Sequence, residues 1–134
     1  MAITTTKPGI DLGIVTRNGP AMLAFYQATL GLHKEGEMPM PGGKGLMHRL
    51  RCGDSLIKLV EMPGDLAPAA PGGIAKAAGY RYWTISVPDL APLVAACEAA
   101  GHQVVMQPTE ILPGVRIAMV ADPDGNWVEF LQVG

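Results

Sequence analysis

Apolar and polar residues alternate over Asp11–Thr16 (Asp-Leu-Gly-Ile-Val-Thr), a period of two that predicts a short strand. The period then lengthens. Between residues 20 and 30, Met22, Leu23, Phe25, Tyr26 and Leu30 recur at helical spacing behind Pro20, and Gly31 supplies the stop. Alternation returns over Leu46–Cys52 and Ser55–Glu61, on either side of Gly53-Asp54, which reads as a hairpin turn. The stretch between helix and hairpin, Met38-Pro39-Met40-Pro41-Gly42-Gly43, is rich in Pro and Gly and reads as a loop.

Residues 62–79 break every period with proline, glycine and alanine, so they read as a connector. Beyond it the order recurs: a strand over 80–87, a helix over 89–100 capped by Asp89 and stopped by Gly101, then strands over 102–107, 115–121 and 126–133. Asp122-Pro123-Asp124-Gly125 joins the last two, with Pro and Gly meeting the dihedral demands of a turn. An offset of 71 residues lays Leu12-Gly13-Ile14 on Trp83-Thr84-Ile85 and Lys58 on Glu129. The chain therefore reads as one domain, 1–134, made of two tandem βαβββ modules of α+β class, at about 8–62 and 80–134, joined by 63–79.

A chain of 134 residues, 49% hydrophobic and 16% charged, suits one compact domain. Ten basic against twelve acidic side chains leave a net charge of −2, which argues against nucleic acid or an anionic membrane as partner. No apolar run reaches the length of a transmembrane helix and Met1-Ala2-Ile3-Thr4-Thr5-Thr6-Lys7 has no signal-like apolar core, so a soluble, cytoplasmic protein is expected. Cys52 and Cys97 lie far apart and are expected to stay reduced in that compartment. Gly42-Gly43-Lys44-Gly45 lacks the spacing of a phosphate-binding loop, and neither Ser55 nor Ser86 sits in a nucleophile motif. His33, His48 and His102 are scattered and read as surface or packing residues.

Several motifs carry a resemblance. They are Gly13-Ile14-Val15, Leu23-Ala24-Phe25-Tyr26, Leu30-Gly31-Leu32 and Gly53-Asp54 in the first half, then Ile85-Ser86-Val87-Pro88-Asp89-Leu90 and Asp122-Pro123-Asp124-Gly125-Asn126-Trp127-Val128-Glu129 in the second. Together they resemble the vicinal oxygen chelate superfamily, which includes glyoxalase I, methylmalonyl-CoA epimerase, extradiol dioxygenases and bleomycin-resistance proteins. The resemblance implies an antiparallel sheet from each half, enclosing a cleft, with helices on the outer face. Strand alternation then puts Leu12, Ile14, Ile57, Leu59, Trp83, Ile85, Val87, Val128 and Phe130 toward the helices. Asp11, Lys58, Tyr82, Thr84, Ser86 and Glu129 fall on the other side.

Metal-dependent relatives place His, Glu or Gln, His and Glu at four positions that align here with Asp11, Lys58, Tyr82 and Glu129. Only Glu129 is retained. The resemblance thus implies no cofactor, with a divalent metal held by the two carboxylates as the alternative. A lysine ammonium between Asp11 and Glu129 would take the cation's place, either as a structural ion-pair cluster or as a catalytic one. In the catalytic version Glu129 moves the proton, Lys58 and Tyr82 stabilise an oxyanion and Asp11 orients Lys58, giving an isomerase, epimerase or lyase.

Strand alternation sets Arg49 and Arg51 apart from Leu46, His48 and Leu50, and Arg116 alternates similarly, so these guanidiniums either grip a substrate carboxylate or solvate strand edges. Trp127 and Thr84 share the Glu129 side, and Trp127 would wall either a planar ligand or a packed interface. Residues 38–43 and 68–73 are candidate lids. The competing functions are a non-catalytic small-molecule or antibiotic-binding protein, and a metal-dependent glyoxalase or dioxygenase with an atypical ligand set. The partners expected are a small-molecule ligand and a second copy of the chain, as a homodimer.

Overall fold

A computed structural model describes residues 1–134, whose contacts divide into two compact units, Met1–Leu66 and Ala67–Gly134. In the first, strand β1 (Asp11–Thr16) leads into helix α1 (Gly19–Leu23), which continues as a π-helical turn over Ala24–Thr29. Pro20 is preset for the first helical turn, and Gly31 leaves it at φ +78°, where a side chain would be strained. Strands β2 (His33–Pro39), β3 (Leu46–Cys52) and β4 (Ser55–Glu61) follow, in the spatial order β1-β4-β3-β2.

Strand β2 is the element that periodicity missed. Its sequence, His-Lys-Glu-Gly-Glu-Met-Pro, carries no apolar alternation because it lies at the sheet edge, where charged side chains discourage pairing with another chain. Met38 and Pro39 of the candidate lid belong to this strand.

The second unit repeats the plan with β5 (Tyr82–Ser86), α3 (Ala91–Ala99), β6 (Val104–Leu112), β7 (Val115–Ala121) and β8 (Trp127–Val133), ordered β5-β8-β7-β6. The connector contributes one short helix, α2 (Gly73–Lys76). Strand β6 runs five residues beyond its expected end, past Pro108, with three register shifts against β7, as an edge strand tolerates. Each sheet is mixed rather than wholly antiparallel: β1 runs parallel to β4 and β5 parallel to β8, because a helix crosses over between the first strand of each unit and the rest.

The duplication holds residue by residue. Gly13 registers with Lys58 and Thr84 with Glu129; Asp11 registers with Leu56 and Tyr82 with Trp127, each pair displaced by 71. The same displacement relates two tethers at the helix starts. Gln132 Oε1 accepts the Leu90 backbone N–H at 2.9 Å, and the Glu61 carboxylate lies so close to Gly19 that no Cβ fits there.

One face of each sheet packs on its own helix. In the first unit Met22, Phe25, Tyr26, Leu50, Ile57 and Leu59 are buried, with Phe25 and Tyr26 edge to face at 4.7 Å. In the second the core is Leu90, Val94, Cys97, Val120, Val128 and Phe130. Burial pushes the Cys97 thiol up to about 11, so it stays protonated and unreactive at neutral pH, and both cysteines are free. No helix is long and apolar enough to cross a membrane.

Candidate active site

The opposite face of the first sheet is charged. Strand β1 brings Asp11 to Lys58 of β4, Nζ to Oδ2 at 3.1 Å, and Lys7 from the preceding segment pairs with the other oxygen of the same carboxylate. Hydrogen bonds from Lys7, then Lys58, hold the Asp11 carboxyl below its ordinary range.

Arg49 and Arg51 of β3 share this face, since Arg49 registers with Lys58 and Arg51 with Leu56. Both reach Glu35, which sequence reasoning did not single out. Arg51 donates to its Oε2 from Nη2 at 2.8 Å and from Nε at 3.2 Å, whereas Arg49 makes one contact, Nη2 to Oε1 at 3.4 Å. Arg51 foremost lowers the Glu35 carboxyl. Glu35 stands where the β2–β3 register shifts between Lys34 and Gly36, and that irregularity turns it to the arginine side. Its only signal in the sequence is an acidic residue in a charged edge segment.

In the second unit Glu129 of β8 accepts the Thr84 hydroxyl of β5, Oγ1 to Oε1 at 2.8 Å, across the pair that registers the two residues. Tyr82, two positions before Thr84, is 48% exposed. Trp127 lies on the same face, registered with Tyr82, and packs its indole on Gly73 of α2. It walls an open pocket of about 280 Å³ lined also by Ala69–Gly72, Gln103, Val105 and Gly125. Arg81 pins the covering loop by donating to the carbonyls of Gly73, Ala70 and Pro71 at 2.6, 3.0 and 3.1 Å, another contribution invisible in the sequence pattern.

Gly73 has φ +54° and no room for a Cβ beside the indole. Gly73→Ala is expected to cost about 1–3 kcal/mol through strain and displacement of the ring, read as a lower melting temperature with altered tryptophan fluorescence.

Arg116 does not join this face. It registers with Gln132, which shares the Val128 and Phe130 side, so it stands on the helix-packed side of the sheet, opposite Glu129. Its apolar neighbours Val115 and Ile117 predict the cleft side, with Arg49 and Arg51; pairing with β8 overturns that, because β7 is buried on both faces from Ile117 to Ala121 and apolarity does not mark its helix side.

The positions that hold a divalent cation in metal-dependent relatives carry a poor donor set here. The first module's pair contains an ammonium, which has no lone pair until it loses a proton, and its carboxylate is already neutralised by two lysines. The second module's pair is a phenol and a hydrogen-bonded carboxylate. No three His, Cys, Asp or Glu side chains gather as a metal-holding group. These residues do not fit a divalent cation.

Residues 10–130 match the family model described as Glyoxalase/Bleomycin resistance protein/Dioxygenase superfamily. The chain is 30% identical over 114 residues to "Putative glyoxylase CFP32" of Mycobacterium tuberculosis, with 84% of this chain and 39% of that protein aligned. It therefore spans well under half the length of the curated relatives it matches. Among solved structures it is similar to a glyoxalase family protein from Bacillus cereus, with a TM-score of 0.81 and 16% identity over 98% of this chain and 96% of that one. It is also similar to the trypanothione-dependent glyoxalase I of Leishmania major, with a TM-score of 0.67 and 22% identity over 91% and 84% of the two chains. With the family model covering nearly its whole length and both sheets built to one plan, the chain belongs to the glyoxalase/bleomycin resistance/dioxygenase superfamily, the vicinal oxygen chelate group.

Proposed function

We propose that this protein catalyses proton transfer on a small oxygenated anion without a divalent metal, as an isomerase, epimerase or lyase does. The observation that carries the proposal is the Asp11–Lys58 ion pair, a fixed ammonium where metal-dependent relatives need a ligand. A fixed cation aimed at developing negative charge does electrostatically what a Lewis acid does, without coordination.

Glu129 is the base. The hydrogen bond from Thr84 orients its carboxylate. Glu129 takes a proton from the substrate carbon, exchanges it with solvent and delivers a solvent-derived proton to the carbon that is reprotonated, so that in D₂O deuterium becomes carbon-bound. In its own unit Tyr82 is the hydrogen-bond donor to an oxyanion; in the first unit Lys58 offers an ammonium to a developing negative charge and Arg49 a guanidinium to an anionic group. Asp11 keeps Lys58 in place.

The test is deuterium incorporation, read by NMR, when the protein is incubated in D₂O with a panel of small 2-oxo and 2-hydroxy carboxylates. Glu129→Gln is expected to lower the rate about 10²–10⁴-fold, and Lys58→Met about 10²–10³-fold, with folded circular dichroism spectra in both. Dialysis against chelator is expected to leave the rate unchanged. Wild-type rates in either variant, or a rate that depends on added Mn²⁺ or Ni²⁺, would overturn the proposal. Stoichiometric binding with no incorporation would move the protein to the non-catalytic binding members of the superfamily.

A further inference from the structure

We propose that the charged face of the first sheet binds a dianionic group, a dicarboxylate or a phosphoryl group, over the transverse row Gly13, Lys58, Arg49 and Gly36. The inference rests on the reading above that the substrate is an anion, and it specifies which class of anion and where it is held.

The row is read from strand register. Gly13 of β1 lies beside Lys58 of β4, Lys58 opposite Arg49 of β3, and Arg49 opposite Gly36 of β2. Two cations directly opposite each other on one face of a sheet repel, so sheets disfavour the arrangement unless something compensates it. The flanking glycines leave the floor bare on both sides: a Cβ at Gly13 or at Gly36 would meet nothing within 4 Å. Space and charge therefore coincide.

The charges present do not cancel. Within the first unit Lys7, Lys58, Arg49 and Arg51 pair with two carboxylates, Asp11 and Glu35, which leaves two more cations than anions on that face of the unit in a chain whose formal net charge is −2. The excess is thus local, and two is the charge a dianion neutralises. Contact geometry points to the donors that would receive it. Glu35 is anchored by Arg51 at 2.8 Å and only grazes Arg49 at 3.4 Å, so most of the five Arg49 N–H donors remain for a ligand. Lys58 gives one contact to Asp11 at 3.1 Å and retains its other two protons for an oxyanion. About a third of each of these two side chains is exposed, enough for a ligand to reach them.

Calorimetric titration of the full chain at low salt with malonate, inorganic phosphate and acetate tests this. Malonate or phosphate is expected to bind one per chain, about tenfold or more tighter than acetate, and the tighter of the two identifies a dicarboxylate or a phosphoryl group. Arg49→Met is expected to weaken binding about tenfold. Glu35→Gln, which removes a competing carboxylate and is nearly isosteric, is expected to tighten it several-fold, and covers the case in which Arg49→Met does not fold. Acetate binding as tightly as malonate, or Glu35→Gln failing to tighten the dianion, would overturn the proposal. The titration is read without turnover. A protein that binds malonate but moves no deuterium refutes the proton-transfer reading alone, and an active one indifferent to dianions refutes this inference alone.

Discussion

Phe130→Ala is expected to lower the unfolding free energy by about 3–5 kcal/mol, a large share of the roughly 5–15 kcal/mol that holds a small domain together. Phe130 is fully buried, on the helix-packed side of β8, registered with Ile85 of β5 and Ala118 of β7. Truncation removes the transfer free energy of the ring and leaves a cavity bordered by strands that cannot collapse without losing their ladders. Its counterpart 71 residues earlier is Leu59, also fully buried in β4, and Leu59→Ala is expected to cost about 2–5 kcal/mol. Hydrogen exchange separates the two changes. Because chain contacts divide between residues 66 and 67, Phe130→Ala should raise exchange chiefly in 67–134 and Leu59→Ala chiefly in 1–66. Equal loss of protection along the whole chain in both variants would show that the units open only together.

Asp122→Ala comes next in size, at about 3 kcal/mol, and acts through polar groups instead of volume. Asp122 is 4% exposed, and its Oδ1 accepts the backbone N–H groups of Asp124 at 3.0 Å and Asn126 at 2.9 Å. Its Oδ2 accepts the Asn126 side-chain amide at 2.9 Å. Alanine leaves these part-buried donors without their shared charged acceptor, and the turn loses all of these hydrogen bonds at once. Asparagine keeps an acceptor oxygen, so Asp122→Asn should recover about half of the loss. The difference between the two variants, measured by denaturant unfolding, isolates the turn's acceptor from the volume of the side chain. The turn also matters for the site. It sets the register of β8 on β7, and a slip of one residue would turn Glu129 to the helix side.

Strands β1, β3 and β5 were legible because burial alternates along them, whereas β4 and β7 bury residues on both faces. Leu46–Cys52, Ser55–Glu61 and Val115–Ala121 have the bounds that alternation predicts, and the turns at Gly53 and Gly125 sit where positive φ requires glycine. The failures share a cause. Strand β2 is charged on both sides because it is an edge, so no period marks it. The π-helical turn carrying Phe25 and Tyr26 has the same apolar spacing as an α-helix, and only its hydrogen bonds distinguish the two, as in Leu30 N–H to Phe25 O. Arg116 departs from the expected cleft side because β7 is buried on both faces from Ile117 to Ala121, so its apolar neighbours do not mark the helix side.

The candidate site divides similarly. Asp11, Lys58, Tyr82 and Glu129 could be named because the family resemblance aligns them with the positions its metal-dependent members use, and alternation sets them, with Thr84, on the side away from the helices. Their partners could not. Glu35 reaches Arg49 and Arg51 only through a register shift, and Arg81 reaches its three carbonyls only through the fold of the connector.

By itself the sequence determined the duplicated α+β plan, the family and, for the alternating strands β1, β3, β4, β5 and β8, the side that meets the helices, since these follow from local periodicity, turn chemistry and the motifs shared with the family. Tertiary structure alone decided which charges meet: the Lys7–Asp11–Lys58 chain, the Glu35 clasp on two arginines and the exclusion of Arg116. The physical reason is that an ion pair depends on positions to within an ångström between strands far apart in sequence. Strand pairing, with its bulges, sets those positions, and no period along the chain records them.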